Sequence, residues 1–205
     1  MLVIDIETIA NPDAQPPEFS APANLKDPEK IKAAIEQKRI DWLADGALHA
    51  DRGSVALIGY GMETGATIQP PALGEAPRIA DCWELIKHNT PVVGFNIIRF
   101  DIPFLVRRSW ILGVPVPRDV VFDKRGYINQ DRFIDLMLFW QCGDRQEYIS
   151  LDTISKAVLG RGKTRHGSDF GNLWATDRQA AIEYCKSDVQ LTWELAQRLI
   201  PENHK

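Results

Sequence analysis

Leu2, Ile4 and Ile6 alternate with Val3, Asp5 and Glu7 at the amino end of the chain, and successive side chains of a β-strand point to opposite faces. The pattern predicts a strand over Leu2–Ile6 with Asp5 and Glu7 on one face and an aliphatic triplet on the other. Residues 11–24, rich in Pro and Ala, read as an irregular excursion. Asp27-Pro28 then marks a helix start, an N-cap followed by Pro in the first turn, and Gly46 a stop. Ile31, Ala34, Ile35 and Trp42 recur at near-helical spacing among charges, so this is a surface helix with one buried stripe. It is either a plain surface element or a lid or wall of a substrate channel.

Val55–Met62 and Ala66–Gln69, joined by Glu63-Thr64-Gly65, predict a hairpin. Ile79–His88 predicts a helix with Trp83 and Ile86 inward, and residues 91–95 a second buried strand. Pro is tolerated only in the first turn of a helix, so Pro103 requires the next helix, running to about Leu112, to open beside Asp101. A Pro-containing connection covers 113–126. Helices are expected over Phe133–Gln141, over Leu151–Leu159 with Gly160 as its stop, and over the long pattern Asp177–Leu199. Strands alternating with helices, plus one early hairpin, give an α/β domain with a mixed sheet. One domain over 1–205 is expected, with 11–52 as excursion plus surface helix.

Composition changes this picture little. The 205 residues are 44% hydrophobic and 25% charged, ordinary for a globular chain. With 24 basic and 28 acidic residues the net charge is -4, so a polyanion would need local basic patches or bound cations. Cys82, Cys142 and Cys185 form no Cys-x-x-Cys pair and fit reduced thiols in a cytoplasmic setting. His49, His88, His166 and His204 are dispersed, and none is read as a metal ligand. No apolar run approaches the roughly 18 residues of a membrane span, and the amino end lacks a basic start, so no membrane partner or targeting segment is expected.

The candidate chemistry begins on the last helix. Ala181, Tyr184, Asp188, Leu191, Leu195 and Leu199 share one face, which puts Asp188 on the side to be buried. A buried carboxylate needs a compensating partner, here either an Arg or a metal ion. Asp5, Glu7, Asp101 and Asp188 make an oxygen-only set that suits Mg²⁺ or Mn²⁺. Two such ions, about 4 Å apart, can bind both the attacking and the leaving oxygen of an in-line phosphoryl displacement.

Asp5-Ile6-Glu7, Asn96-x-x-x-Phe100-Asp101 and Tyr184-x-x-x-Asp188, in that order, resemble the three exonuclease motifs of the DEDD superfamily in its tyrosine-bearing subclass (DEDDy). The likeness is to the proofreading domain of family-B DNA polymerases and small stand-alone proteins similar to it, and it spans residues 2 to 188. It implies a ribonuclease-H-like fold, a mixed central sheet with the N-terminal strand in the middle and flanking helices. It further implies a metal-dependent 3′–5′ exonuclease that releases nucleoside monophosphates from single-stranded nucleic acid, DNA in preference to RNA. The resemblance casts Asp5, Glu7, Asp101 and Asp188 as ligands of two ions and Tyr184 as the residue that orients the attacking water. Thr8, Asn96 and Phe100 match positions that touch the last nucleotides; for Phe100 a core role is the alternative to base stacking. The superfamily's other subclass has His five residues before the last Asp, where this chain has Glu183. An exoribonuclease and a noncatalytic nucleic-acid-binding module are the rival readings. No synthesis domain lies within the 205 residues, so proofreading in cis is not expected and a protein partner would supply the context.

Two further features invite a role. Asp135 before Leu136 is either a helix N-cap or a catalytic acid, the cap being the cheaper explanation. Ala157 to Thr164 fits a loose phosphate-binding P-loop, but it follows a helical pattern where a P-loop follows a strand. Arg161, Lys163, Arg165 and His166 instead form either a cationic loop that holds the phosphate backbone or a merely solvated one.

Overall fold

The computed structural model describes residues 1–70, 74–144, 148–163 and 170–200. Strands β1 (Leu2–Ala10), β2 (Gly53–Met62), β3 (Gly65–Ile68), β4 (Val92–Gly94) and β5 (Phe133–Asp135) form one sheet in the order β3-β2-β1-β4-β5. β1 pairs antiparallel with β2 and parallel with β4, β2 with β3 is the expected hairpin, and β4 with β5 is parallel. The sheet is therefore mixed and β1 stands at its centre.

The alternation in β1 sorts its side chains between two apolar layers. Leu2, Ile4 and Ile6 pack with Trp83 and Ile86 of α2 (Glu75–His88) and with Ile102 and Leu105 of α3 (Asp101–Leu112). On the opposite face Val3 packs with Val189, Leu191 and Leu195 of α8 (Arg178–Leu199). Asp5 and Glu7 share Val3's parity and so face α8. Gly59 and Gly61 of β2 let α8 lie directly on the sheet: a Cβ at Gly59 would stand 2.5 Å from Val189 Cγ2 and 3.0 Å from Cys185 Sγ.

Several expectations are corrected. Residues 133–141 are not one helix: Phe133–Asp135 is strand β5 and α5 runs Leu136–Gln141. Pairing with β4 overrides the helical pattern of so short an apolar run. α1 (Pro28–Ala44) starts as expected, with Asp27 accepting from the Glu29 and Lys30 amides, but none of its residues is buried. Of its stripe, Trp42 packs against Phe19 of the excursion and under Arg52 rather than into the core. The connection after Gly113 holds a short helix, α4 (Arg118–Val121), and α7 (Phe170–Thr176) precedes α8; neither was expected. α6 (Leu151–Leu159) ends as foreseen at Gly160, whose φ of 72° suits glycine. The P-loop-like stretch thus follows a helix. Cys82, Cys142 and Cys185 are free thiols. Among the described residues no helix is long and apolar enough to cross a membrane.

Candidate active site

β4 pairs with β1 only at Leu2 and Val3, which leaves the Ile6 amide, between Asp5 and Glu7, to another acceptor. Asp101 Oδ1 takes it at 3.0 Å. This buried bond fixes the first residue of α3 against the central strand. The turn that delivers Asp101 starts at Asn96, whose left-handed φ of 59° is one that Asn tolerates. Asp135 holds the turn in place: its carboxylate accepts from the Asn96 amide at 2.9 Å and the Ile98 amide at 3.2 Å while capping α5 through Met137 and Leu138. Asp135 is thus an N-cap, with a second task at the turn that the sequence did not disclose.

From the other side α8 brings in Tyr184 and Asp188, one turn apart and only 5% and 3% exposed. The ring of Phe170 supports that of Tyr184 at 6.1 Å between centroids. Among the described residues the ion-pair partner of Asp188 is a lysine rather than an Arg: Lys163 Nζ lies 2.5 Å from Asp188 Oδ2 and 5.0 Å from the Tyr184 ring centre. Asp5, Glu7, Asp101, Tyr184 and Lys163 line one cavity of about 380 Å³.

The charges there repel one another. Burial, reinforced by Asp101 and Asp188, holds the Asp5 carboxyl well above the usual carboxylate range. Burial and the neighbouring Asp5 do the same to Glu7. Burial pushes Asp101 up to about 7 against the opposing Ile6 hydrogen bond. Asp188 is raised by burial, with the Lys163 ammonium and the Tyr184 hydroxyl working the other way. Burial and the nearby Glu7 and Asp188 raise the Tyr184 phenol, which therefore stays protonated and able to donate. Burial disfavours the Lys163 ammonium, yet Asp188, Asp5 and Glu7 outweigh it and raise its pKa.

The expected nucleic-acid contacts divide. Asn96 and Phe100 line the cavity; Phe100 also packs on Phe104, 5.6 Å between ring centres, so it joins core and cleft. The Thr8 hydroxyl donates to Ala47 O at 2.6 Å. Arg161, half exposed, pairs with Glu194, and Lys163 turns into the acid cluster. Arg165 and His166 lie outside the described residues.

The sequence reading missed Tyr148 and Ser150, which line the cavity, and Cys185. Ligand atoms of Asp5, Glu7 and Cys185 all lie within 4.8 Å of one another. Cys185 stands three residues before Asp188, a helical spacing that signals a shared face; Tyr148 carries no such signal.

Over 131 residues the chain is 29% identical to DNA polymerase 1 of Aeropyrum pernix; the match takes in 59% of this chain and 13% of the polymerase. Among solved structures, the family B DNA polymerase of Pyrobaculum calidifontis superposes with a TM-score of 0.62 at 19% identity, over 98% of this chain and 24% of that one. The chain thus spans a minor part of these relatives, and the structural likeness gives the fold: the ribonuclease-H-like sheet with β1 in the middle. Residues 59–200 match the model of a family described as a predicted 3′–5′ exonuclease related to the exonuclease domain of PolB. The match takes in more than half of the chain, which belongs to this family of predicted exonucleases.

Proposed function

We propose that residues 1–205 act as one nuclease domain, a metal-dependent 3′–5′ exonuclease of the tyrosine-bearing subclass that removes nucleoside monophosphates from single-stranded DNA. One observation carries the reading: Asp5, Glu7 and Asp101 line a single cleft together with Tyr184 and Lys163, and Asp188, from a third segment of the chain, pairs with that Lys163. Burial of so many carboxylates is costly unless cations offset them, and Lys163 supplies one positive charge against four negative.

The donor set fits Mg²⁺ or Mn²⁺, two ions held by Asp5, Glu7, Asp101 and Asp188, since carboxylate oxygens suit hard cations. Bound there, such ions acidify a water and stabilise charge on phosphate oxygens. The chain's own residues do the rest. Tyr184, kept protonated, offers its hydroxyl to orient the attacking water. Phe100 and the exposed Tyr148 offer rings to the terminal bases, and such stacking contributes roughly 1–3 kcal/mol per base without reading sequence. Asn96 lines the path of the strand, and Thr8, Arg161 and Arg165 remain outer contacts in this reading. The preference for DNA rests on the likeness to proteins named DNA polymerases.

The test is degradation of 5′-labelled DNA and RNA oligomers with Mg²⁺, Mn²⁺ or chelator. The expected result is stepwise loss of mononucleotides from the 3′ end of single-stranded DNA, abolished by chelator. Degradation of RNA alone would overturn the substrate assignment. No release under any metal would leave a noncatalytic binding module.

A further inference from the structure

Tyr184 is held from the side by α7, a short helix with no residue in the cleft lining described above. Phe170 and Leu173 of α7 share one apolar cluster with Ala56 and Leu57 of β2 and with Ala181, Tyr184 and Cys185 of α8. Leu57 is the partner of Glu7 across the β1–β2 ladder, so this cluster adjoins the acids. Phe170 and Trp174 stand one helical turn apart and share a face of α7. Their rings stack at 6.0 Å and 22°. Phe170 in turn meets the Tyr184 ring at 6.1 Å and 43°, and the Arg178 guanidinium lies 3.6 Å from the centre of the Trp174 ring. Arg178 and Tyr184 are both on α8, about 9 Å apart along its axis, so the row of rings begins and ends on one helix. The corner between the two helices is tight. The Asp177 amide donates to Leu173 O at 2.8 Å while the Asp177 carboxylate accepts from the Ala180 amide at 3.0 Å, so α7 cannot slide along α8 without losing both bonds.

We propose that Phe170, backed by Trp174 and Arg178, is a positioning residue for the exonuclease reaction: it fixes the ring of Tyr184 so that the hydroxyl meets the attacking water at one angle. The inference rests on the role given to Tyr184 above. The hydroxyl stands at the far end of the ring, where a small rotation about the side-chain torsions moves it furthest, and the last torsion of an aromatic side chain lies in a broad well. Misplacing a reacting group by about 1 Å can cost about a hundredfold in rate. The bond of the hydroxyl to Asp188 is polar and answers to any charge that enters the cleft. The Phe170 contact is apolar and only 3% exposed, so it holds the ring whatever charge arrives. Among the described residues the lining of the cleft does not include Phe170, and its effect on the reaction therefore passes through Tyr184.

The test is the rate of mononucleotide release at saturating 5′-labelled DNA oligomer for Phe170→Leu, Trp174→Leu and Trp174→Phe, each made in the wild-type and in the Tyr184→Phe background, with Mn²⁺ affinity and melting temperature measured beside it. Phe170→Leu keeps apolar volume and loses the ring. It is expected to lower the saturating rate about tenfold, with the KM for oligomer and the Mn²⁺ affinity within about threefold of the wild type. Trp174→Leu is expected to act in the same direction by a smaller factor, and Trp174→Phe, which keeps a ring against Phe170, to restore the rate. In the Tyr184→Phe background there is no hydroxyl to place, and Phe170→Leu is expected to change the residual rate by less than about twofold, the non-additivity of residues that act as one unit. A merely structural Phe170 lowers the melting temperature and leaves the saturating rate unchanged, or lowers the rate equally in both backgrounds; either result overturns the proposal. If Phe170→Leu does not fold, the Trp174 pair decides, and equal rates for Trp174→Leu and Trp174→Phe overturn it. An unchanged rate for Tyr184→Phe alone would instead remove the reading of Tyr184 itself, and this inference with it.

Discussion

The Asp101 carboxylate accepts a hydrogen bond from the Ile6 amide at 3.0 Å, between the two acids that β1 contributes. One side chain therefore has two tasks, joining α3 to the central strand and bringing a third negative charge to the cleft. The tasks separate by substitution. Asp101→Asn keeps an acceptor for Ile6 and loses the charge; the exonuclease rate is expected to fall at least about a hundredfold, with urea stability kept. Asp101→Ala also orphans the amide, at a cost of about 1–3 kcal/mol. Equal rates for Asp101→Asn and wild type in the oligomer assay would refute the catalytic part.

Asp5 and Asp188 should respond differently although both are expected to be essential. Lys163 acts on Asp5 from a distance but among the described residues its ion pair is with Asp188, so Asp5→Asn is expected to abolish nucleotide release and raise the melting temperature in chelator. Asp188→Ala strips the partner from the largely buried Lys163 ammonium and is expected to abolish release while lowering stability by about 1–3 kcal/mol. Thermal melts of both variants beside the assay distinguish the two. A destabilised Asp5→Asn would mean that the Asp5 charge is structural.

Tyr184→Phe removes a hydroxyl that reaches Asp188 and leaves the ring packed on Phe170. The rate at saturating oligomer is expected to drop by about one to two orders of magnitude, with Mn²⁺ affinity within a factor of about three. An unchanged rate would exclude Tyr184 from orienting the water.

The parts of this site that could be read in advance are those fixed by local periodicity. The two-residue alternation put Asp5 and Glu7 on one face, Pro103 fixed the start of α3 at Asp101, and the apolar stripe of α8 pointed Asp188 inward. Contacts that depend on tertiary closure were not legible. Lys163 reads as one basic residue among several because nothing local shows that Gly162 folds the loop onto Asp152. Asp135 reads as a helix cap because that bond is local, whereas its hold on Asn96 spans 39 residues. β5 reads as helix because three apolar-rich residues have no period of their own until β4 pairs with them. Trp42 reads as part of a buried stripe because spacing alone does not say whether a helix docks on the sheet or on an excursion.

The Asp135 clamp gives a prediction about the turn rather than the chemistry. Asp135→Ala frees the Asn96, Ile98, Met137 and Leu138 amides together. Loss of a cap alone costs about 0.5–2 kcal/mol, and the additional buried amides raise the expected total to about 2–4 kcal/mol by urea denaturation. A cost within the range of a cap alone would mean that the turn before Asp101 holds itself.

The pH dependence of stability follows from the same burial. Asp101 is raised to about 7, and Asp5, Glu7, Asp188 and Asp135 are also raised, whereas carboxyls of an unfolded chain titrate near about 4. Between those values the native state binds more protons than the unfolded one, so stability falls as pH rises. The stabilising contribution is complete below the unfolded values and lost as pH climbs through the native ones, about 7 for Asp101. In chelator the melting temperature is therefore expected to decline from about pH 5 to about pH 8, opposite to ordinary acid denaturation. A divalent cation offsets the charge that accumulates, so Mn²⁺ should raise the melting temperature more at the upper end of that range than at the lower. Asp5→Asn removes one of the repelling groups and should flatten the decline. A melting temperature in chelator that rises across this interval would show that these carboxyls are ionised in the native protein at little cost, and the electrostatic argument for a cation at this site would fall with it.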